Sequence, residues 1–384
     1  MKTKIVFLLT SASVISFFAC RKPAIDPSAH VQVLNQAKLY ADYHDVLPPA
    51  FCFNTLAWNN KVIKLGRVLF YDKKLSLNNA ISCASCHHQV NAFADNVRFS
   101  NGFENKKTGR NTPAMTNEAL CYDFFWDNRE TQLESMVLRP IQSHVEMGLI
   151  SEDMIADKLA HIDYYPALFA NAFGTADITS ARAGEAIAAF VRSCLSYHSK
   201  YDEGNEPSVN FSNFTPLENR GRELFFGTGR CSSCHYGTNL GGNGSATIGL
   251  DLFPADLGIG GRTHEAYQNG EFSVPSLRNV ALTAPYMHDG RYSTLNDVID
   301  FYSHNIQPVE NLSPMLWKEM PWIFFPQTVI NAFDPLPVVV NPQADSSPVR
   351  FNFSGTDKQA LVAFLNTLSD YSVTKDDRYS DPFE

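Results

Sequence analysis

A short sequence pattern occurs twice in this chain and largely determines which folds are open to it. Each copy has a Gly-Arg-x-Leu-Phe segment, at residues 66–70 and 221–225, and a Cys-x-x-Cys-His segment soon after it, at residues 83–87 and 231–235. Such an internal repeat indicates that one type of structural unit occurs twice. The length of 384 residues also exceeds one ordinary domain and favours two.

The Cys-x-x-Cys-His segments are typical of covalent attachment of c-type haem. Two thiols add to the haem vinyl groups, and the adjacent His supplies a nitrogen to the iron. A redox-active cysteine pair would lack the His and lie in a βαβ unit, and a zinc site would need all its ligands in one place. With the Cys and His content of this chain, one such match arises by chance with a probability of roughly 0.005, so two matches are specific. The predicted haem residues are Cys83, Cys86 and His87 in the first copy, and Cys231, Cys234 and His235 in the second.

The first nineteen residues have the composition of a lipoprotein-type signal peptide. Lys2 and Lys4 precede a mostly apolar stretch, residues 5–18, that is too short to span a bilayer. Ala19 and Cys20 end a segment that resembles a bacterial lipobox, which predicts lipidation of Cys20; cleavage by an ordinary signal peptidase is the alternative. Two acyl chains would anchor the protein stably. We therefore expect the protein in the periplasm or cell envelope, outside the cytoplasm, where c-type haem is attached.

Charge and hydropathy argue against nucleic-acid binding and against a transmembrane helix. The chain has 31 Lys and Arg against 40 Asp and Glu, a net charge of −9, so it lacks the basic face that nucleic-acid binding requires. No run of eighteen or more uncharged apolar residues occurs, so we expect no transmembrane helix and membrane contact only through the lipid anchor. Eight Cys are too few for a disulfide scaffold, which makes their spacing the more informative property.

These features divide the chain into four parts. Residues 1–19 are the predicted signal peptide, and residues 20–48 are a polar lead-in with several Pro. Residues 49–205 and 206–384 then form two haem domains, joined by a linker in the polar stretch 200–214. Since helical periodicity predominates and strand alternation is scarce, we predict an all-α fold of two cytochrome c-like haem domains in tandem.

Local signals mark several helices. Thr215 and Glu218 form a predicted capping box around Pro216, which starts a helix. Residues 181–197 have an uninterrupted helical pattern, whereas residues 305–355 are rich in Pro and Asn and predict a long irregular insertion. An apolar stripe with spacing i, i+3, i+4 and i+7 predicts a helix near the C-terminus. Its members are Leu361, Phe364, Leu365 and Leu368.

The second ligand of each iron decides between electron transfer and chemistry, because an iron that reacts needs an open face. Tyr302 lies on the apolar stripe of a helix that starts at Thr294, so its hydroxyl needs a buried partner. That partner is either haem iron or a backbone carbonyl. No His occurs between His88 and His144, which favours an open first iron. Glu146 follows as a carboxylate that is either functional or merely solvated.

Together these residues resemble the bacterial di-haem cytochrome c peroxidase family, which includes the methylamine-utilisation enzyme MauG. The resemblance extends from about residue 65 to residue 368 and includes several ordered motifs around both haem segments. These motifs are Leu65-Gly66-Arg67-x-Leu69-Phe70-Tyr71-Asp72, Gly109-Arg110-Asn111-Thr112-Pro113, Phe125-Trp126-Asp127-Asn128-Arg129, Val145-Glu146-Met147-Gly148, Val274-Pro275-Ser276-Leu277-Arg278-Asn279-Val280 and Thr283-Ala284-Pro285-Tyr286-Met287-His288-Asp289-Gly290.

The resemblance implies that the His87 haem is the peroxide site. Glu146 stands at the family's spacing, twenty residues after Trp126, and would transfer protons between the peroxide oxygens. Trp126 would relay electrons between the haems, and a calcium ion would bind between the domains. The implied calcium ligands are Asn111 and the carbonyls of Thr283 and Pro285.

The chain departs from the family pattern at two positions. Tyr302 stands fourteen residues after His288, where most members have a Met ligand to the second iron and MauG has Tyr. A phenolate ligand favours ferric iron and lowers its reduction potential. Met136 replaces the family's Gln ten residues after Trp126, although the nearby Pro140 is kept.

The expected activity is the reduction of hydrogen peroxide to water with electrons from a small exported redox protein or a quinol. One alternative is a MauG-like oxidase of a protein side chain, and another is a non-enzymatic di-haem electron carrier or redox sensor. The carrier would need a second protein ligand on both irons. The sequence does not fix the oligomeric state and leaves a homodimer open.

Overall fold

The computed structural model describes residues 34–35, 59–204, 211–320, 322–323 and 339–383. The predicted signal peptide, the lipidation site at Cys20 and nearly all of the predicted lead-in lie outside these residues. No helix in the described part of the chain is long and apolar enough to cross a membrane.

Helices make up 42% of the structure and strands 6%, so the predicted predominance of helix is confirmed. The α-helices within the described ranges are α1 (Asn60–Tyr71), α2 (Leu133–Met136), α3 (Arg139–Gln142), α4 (Asp153–Ala160), α5 (Tyr165–Phe173), α6 (Ser180–Ser193), α7 (Lys200–Glu203), α8 (Pro216–Phe226), α9 (Ile259–Thr263), α10 (Leu295–Asp300) and α11 (Gly355–Asn366). The strands form two small antiparallel pairs, which are β1 (Ser245–Thr247) with β2 (Glu271–Ser273) and β3 (Trp322–Ile323) with β4 (Val339–Val340).

Each Gly-Arg-x-Leu-Phe segment lies on a helix that crosses a second helix at close range. In the first pair, α1 crosses α6, and a Cβ atom on Gly66 would lie 1.8 Å from the carbonyl oxygen of Ala186. In the second pair, α8 crosses α11, and a Cβ atom on Gly221 would lie 1.9 Å from the carbonyl oxygen of Ala360. Only glycine permits this approach, so the sequence repeat corresponds to a repeated helix crossing.

Replacing Gly221 with alanine should destabilise the protein strongly, because the added methyl group would overlap the backbone of α11. Overpacking a core costs about 1–3 kcal/mol, and a clash with backbone falls at the upper end of that range. Thermal or denaturant unfolding of the haem-loaded protein would measure the loss. Gly355, the first residue of α11, is the matched control because a Cβ there meets nothing within 4 Å. Equal effects of Gly221→Ala and Gly355→Ala would contradict this account of the crossing.

Two main hydrophobic cores form around these helix pairs. The first is built mainly from residues 62–194 around α1, α5 and α6, and the second from residues 211–368 around α8, α10 and α11. The end of the chain, from Val373 to Phe383, returns to the first core. Arg67 on α1 donates hydrogen bonds to the carbonyl and hydroxyl oxygens of Ser380. The tail therefore links the end of the second half to the helix that begins the first.

The helix predicted for residues 181–197 ends earlier than its pattern indicates. Helix α6 stops at Ser193, and the backbone N–H groups of Tyr197 and His198 donate instead to Oδ2 of Asp370. A carboxylate from a distant part of the chain thus replaces the helical acceptors. Local periodicity contains no information about such a partner.

The linker, the start of α8 and the C-terminal helix follow their local sequence signals in most places. The predicted linker 200–214 is partly helical, since α7 opens it and Ser199 caps that helix. Thr215 and Glu218 form the predicted capping box of α8, and the apolar stripe of the C-terminal helix is buried. In the described part of residues 305–355 only short elements precede α11, among them β3 and β4. The domain boundaries themselves stay a prediction.

Candidate active site

The two Cys-x-x-Cys-His segments adopt the same local conformation. In each, the first Cys begins a 3-10 turn, Cys83–Ser85 or Cys231–Ser233. The carbonyl of that Cys accepts the backbone N–H of the His at 2.9 Å in both segments. This tight turn brings two thiols and an imidazole close together, as attachment to one porphyrin edge requires. Among the described residues, none of the four thiols forms a disulfide.

Both imidazoles are oriented through one nitrogen. Nδ1 of His87 lies 2.9 Å from the carbonyl oxygen of Phe93, and Nδ1 of His235 lies 3.2 Å from that of Pro275. A carbonyl partner requires Nδ1 to carry the proton, so Nε2 keeps a lone pair for a metal. Burial lowers the pKa of both His residues to about 4, which keeps the rings neutral at ordinary pH.

One cavity of about 790 Å³ is shared by the two segments. Its walls include the Cys and His residues of both copies, and every other predicted site residue within the described ranges also borders it. These are Asn111, Trp126, Glu146, Thr283, Pro285 and Tyr302. Paired thiols with a neutral imidazole at two places on one cavity wall fit two covalently attached haems.

Tyr302 lies on a π-helical turn, Phe301–Asn305, that continues α10, and it borders the cavity. Among the described residues, none forms a hydrogen bond with its hydroxyl. Burial, followed by the charges of Cys234 and Cys231, raises the pKa of this phenol. A backbone carbonyl, one of the two alternative partners of this hydroxyl, is therefore not found among the described residues. The phenol lies near the thiols of the second segment.

Glu146 borders the cavity from the turn that follows α3. Burial raises the pKa of Cys83 to about 12 and that of Cys86 to about 11, and the nearby charge of Glu146 adds to both shifts. Burial also raises the pKa of Glu146, while a hydrogen bond from Ser143 and the charge of Arg129 act in the opposite direction. A carboxyl group under these opposing influences can take up and release a proton, as general acid–base chemistry requires.

The turn that carries Glu146 packs against a distant glycine. The N–H of Phe103 donates to the carbonyl of Glu146 at 2.8 Å. A Cβ atom on the preceding residue, Gly102, would lie 2.1 Å from the carbonyl oxygen of Val145. The position of the carboxyl group thus depends on a close backbone contact that a larger residue at position 102 would prevent.

Trp126 lies at the junction of the two halves. Its indole Nε1 donates to the carbonyl of Asn111 at 2.8 Å, and its own carbonyl accepts the N–H of Ser273 on β2 at 2.8 Å. The Trp126 ring is 6.5 Å from the ring of His288, whose carbonyl accepts the N–H of Asn111 at 2.7 Å. The indole is therefore held from both halves at the wall of the shared cavity.

The three predicted calcium ligands border the same cavity as Trp126. The amide nitrogen of Asn111 donates to the carbonyls of Val97 and Arg98, which leaves Oδ1 for another partner. Thr283 and Pro285 border the cavity. Amide and carbonyl oxygens are ligands that calcium accepts, so the donor set fits this ion. The described residues contain no metal-binding cluster of three or more His, Cys, Asp or Glu side chains.

Two further residues shape the cavity around Glu146. Met136, where the family pattern has Gln, borders the cavity and brings a thioether in place of an amide that forms hydrogen bonds. Arg129, for which the sequence indicates no role, also borders it, and its guanidinium lies 3.5 Å from the centre of the Phe125 ring. Arg129 belongs to a motif that is visible in the sequence, but only the fold brings it near Glu146.

The fold and the site define a largely helical protein with two c-type haem-attachment segments on one cavity. A model of the di-haem cytochrome c peroxidase family matches residues 60–207. The cytochrome c551 peroxidase of Nitrosomonas europaea is 34% identical over 248 residues, which cover 63% of this chain and 72% of that protein. The methylamine utilization protein MauG of Methylorubrum extorquens is 32% identical over 246 residues, which cover 62% of this chain and 68% of that protein. The chain belongs to the di-haem cytochrome c peroxidase family of oxidoreductases, and this membership implies two c-type haems.

A solved structure extends the similarity over most of the chain. It is that of a MauG-like protein associated with microbial copper homeostasis, with 30% sequence identity and a TM-score of 0.68. The match covers 90% of this chain and 98% of that protein. The shared architecture therefore reaches well beyond the residues that the family match covers.

Proposed function

We propose that the protein reduces hydrogen peroxide to water at the haem held by Cys83, Cys86 and His87. The observation that carries this proposal is the carboxyl group of Glu146 on the cavity wall, close to both thiols. The similarity to the Nitrosomonas europaea protein, which is named a peroxidase, supports it. When bound, a haem supplies an iron that can bind peroxide and hold oxidising equivalents.

Glu146 would carry the proton in this reaction. As a carboxylate it accepts a proton from one peroxide oxygen and returns it to the other, so that the second oxygen leaves as water. The hydrogen bond from Ser143 and the charge of Arg129 favour the ionised carboxylate. These two groups offset part of the desolvation cost, so a base is available when the reaction begins.

Two cytochrome c-like domains, residues 49–205 and 206–384, would each hold one haem. The repeated glycine-mediated helix crossing and the repeated 3-10 turn at each Cys-x-x-Cys-His segment support this division. Trp126 would relay electrons between the haems, and its hydrogen bonds to both halves support that role.

The second iron would be held by His235 and Tyr302. The lack of a hydrogen-bond partner for the Tyr302 hydroxyl among the described residues supports this ligand set. A phenolate ligand favours ferric iron, which suits a centre that accepts oxidising equivalents. A calcium ion bound by Asn111 and the carbonyls of Thr283 and Pro285 would stabilise the junction beside the two haems.

Electrons would come from a small exported redox protein or a quinol. We place the protein in the periplasm or cell envelope, with a lipid anchor at Cys20, because c-type haem is attached outside the cytoplasm and the N-terminal sequence resembles a lipoprotein signal.

A MauG-like oxidase of a protein side chain is the second candidate function. Tyr302 favours it, because the resemblance to MauG includes Tyr at this position, and the chain is 32% identical to the Methylorubrum extorquens MauG. A pure electron carrier would need a second protein ligand on the first iron as well. The thioethers of Met115 and Met136 border the cavity and are of the chemical type that could supply it.

The ferric protein as isolated should show a high-spin haem signal in electron paramagnetic resonance and should react with peroxide without prior reduction. An open first iron produces both results, because no protein ligand must leave before peroxide binds. Spectra recorded after rapid mixing with peroxide test this, with mass spectrometry to confirm two attached haems. A protein with low-spin haem alone that reacts only after half-reduction would refute the open site and favour the electron carrier.

A further inference from the structure

Two neighbouring tyrosines share one buried carboxylate close to the first haem segment. The hydroxyl groups of Tyr164 and Tyr165 donate to Oδ2 of Asp72 at 2.6 and 2.7 Å. Asp72 and Tyr165 are both 0% exposed, whereas Tyr164 is partly exposed. Oδ1 of Asp72 accepts the backbone N–H of Lys74 at 2.8 Å. The proposed peroxide reaction makes no use of this cluster.

The cluster extends from the first hydrophobic core, against which Cys83 packs, towards the solvent. Tyr165 belongs to the first hydrophobic core, against which Cys83 packs. Burial raises the pKa of Tyr165, and the charges of Asp72 and, to a smaller extent, Cys83 add to the shift. Tyr165 and Cys83 therefore lie in the same packed region of the chain. The ring centroids of Tyr165 and Tyr164 are 4.8 Å apart, which places the two rings in contact.

We propose that Tyr165 and Tyr164 form a redox-active pair that carries oxidising equivalents from the first haem site to the surface, with Asp72 as proton acceptor. This inference rests on the proposed function, because peroxide at that haem supplies the oxidant. Tyr165 gives one electron to the oxidised haem site and its phenolic proton to Asp72, which leaves a neutral tyrosyl radical and a carboxylic acid. Tyr164 then gives an electron to Tyr165, while the proton on Asp72 returns to Tyr165 and the proton of Tyr164 takes its place.

The cycle closes at the surface. A one-electron reductant such as ascorbate gives an electron to the Tyr164 radical, and Asp72 returns the proton to the phenolic oxygen. In total the haem site gains one electron, the external reductant loses one, and the cluster ends in its starting protonation state. Asp72 is essential because an oxidised phenol is a very strong acid, and transfer within an existing hydrogen bond avoids a buried positive charge.

This route would protect the cavity when the exported redox protein is absent, because a small reductant at the surface can still discharge the Tyr164 radical. Met115, Met136 and Met147 border the cavity, and they belong to or pack against the first core, as Cys83 does. Methionine is readily oxidised to its sulfoxide, which is polar and disrupts packing. Removing the route through Tyr165 and Tyr164 should therefore increase the oxidation of these methionine side chains.

The test adds peroxide, without an electron donor, to the full chain with both haems attached, and freezes the mixture for electron paramagnetic resonance. The wild type should give a tyrosyl signal that narrows when the protein contains ring-deuterated tyrosine. Tyr165→Phe should lose most of this signal and accumulate several-fold more sulfoxide at Met136, as measured by mass spectrometry. Tyr164→Phe should keep the signal, but ascorbate should quench it several-fold more slowly.

Two further variants separate a redox role from a structural one. Tyr379→Phe is the matched control, because Tyr379 is also buried in the first core but donates to the carbonyl of Ser193, at 2.8 Å, which cannot take up a proton. This variant should behave as the wild type. Asp72→Asn keeps an oxygen that accepts hydrogen bonds but removes the proton acceptor, so the tyrosyl signal should fall. Haem content and thermal unfolding show that each variant is folded.

The outcomes distinguish this inference from the proposed function. A wild-type protein that turns over peroxide with a donor but gives no tyrosyl signal would overturn the inference and leave the peroxidase proposal intact. The same holds if the signal and the sulfoxide yield are equal in the wild type, Tyr165→Phe and Tyr379→Phe. A protein that does not react with peroxide at all would overturn both.

Discussion

Replacing Glu146 with glutamine should slow the cleavage of hydrogen peroxide by about 10²- to 10⁴-fold, the usual contribution of a positioned general acid–base group. Glutamine keeps the size and polarity of the side chain but cannot carry the proton from one peroxide oxygen to the other. Both haems should remain attached, since the thiols and imidazoles are unchanged. Stopped-flow absorption of the haems after mixing with peroxide measures the rate, and mass spectrometry measures the haem content.

The pH dependence of this reaction should follow from the raised pKa of Glu146. Burial shifts that pKa above the ordinary value of about 4.3. In the proposed mechanism the reaction begins with the ionised carboxylate, so the rate should fall as the pH is lowered through the raised pKa. This acid limb should be absent from the pH profile of Glu146→Gln.

Glu104 provides a matched control for the loss of one carboxylate. It is exposed, pairs with Lys106 at 3.1 Å and lies next to Phe103, which holds the backbone of Glu146. Glu104→Gln should leave both the rate and its pH profile unchanged. Equal rates for the wild type and Glu146→Gln would exclude Glu146 from the mechanism.

Replacing Tyr302 with phenylalanine should change the low-spin spectrum of one haem and leave the other haem unaffected. Phenylalanine fills the same space but offers no oxygen to the iron, so the second iron would lose its phenolate ligand. Because a phenolate favours ferric iron, the reduction potential of that haem should rise. Axial ligands tune haem potentials over about 0.8 V, so a rise on the order of 100 mV or more is expected. A spectroelectrochemical titration of both haems measures it.

Tyr292→Phe is the control for this second prediction. Tyr292 lies close to Tyr302, and its ring centroid is 6.0 Å from that of Phe301, but it is not part of the cavity wall. Its hydroxyl should therefore be irrelevant to the iron, and the spectra should match those of the wild type. If Tyr302→Phe also leaves both spectra unchanged, Tyr302 is a core tyrosine rather than a ligand.

The haem segments could be predicted from the sequence because their geometry is local. The first Cys and the His of each segment are joined by one hydrogen bond within one turn, so the spacing alone brings the thiols and the imidazole together. The same holds for the capping box at Thr215, whose two partners are three residues apart. Likewise, the repeated glycines of the Gly-Arg-x-Leu-Phe segments indicated a repeated unit, and that unit is a close helix crossing.

Contacts between residues that are far apart in the sequence could not be predicted from local sequence patterns. Beyond the early end of α6, Asn117 and Asp370 accept the next backbone N–H groups, those of residues 196 to 198. The return of the chain end to the first core depends on Arg67 and Ser380. The influence of Arg129 on Glu146 depends on how the turn after α3 packs. In each of these contacts the two residues are more than one helical turn apart in the sequence, so helical periodicity cannot predict them.

The sequence by itself determined that the chain has two covalent haem-attachment segments and a largely helical fold, because both properties arise from residues within a few positions of one another. Only the tertiary structure decided that both segments share one cavity with Glu146, Trp126 and Tyr302 on its walls, and that two tyrosines converge on Asp72. The physical reason is that burial, pKa shifts and hydrogen-bond partners depend on which surfaces exclude water together, and the packing of the whole chain decides that.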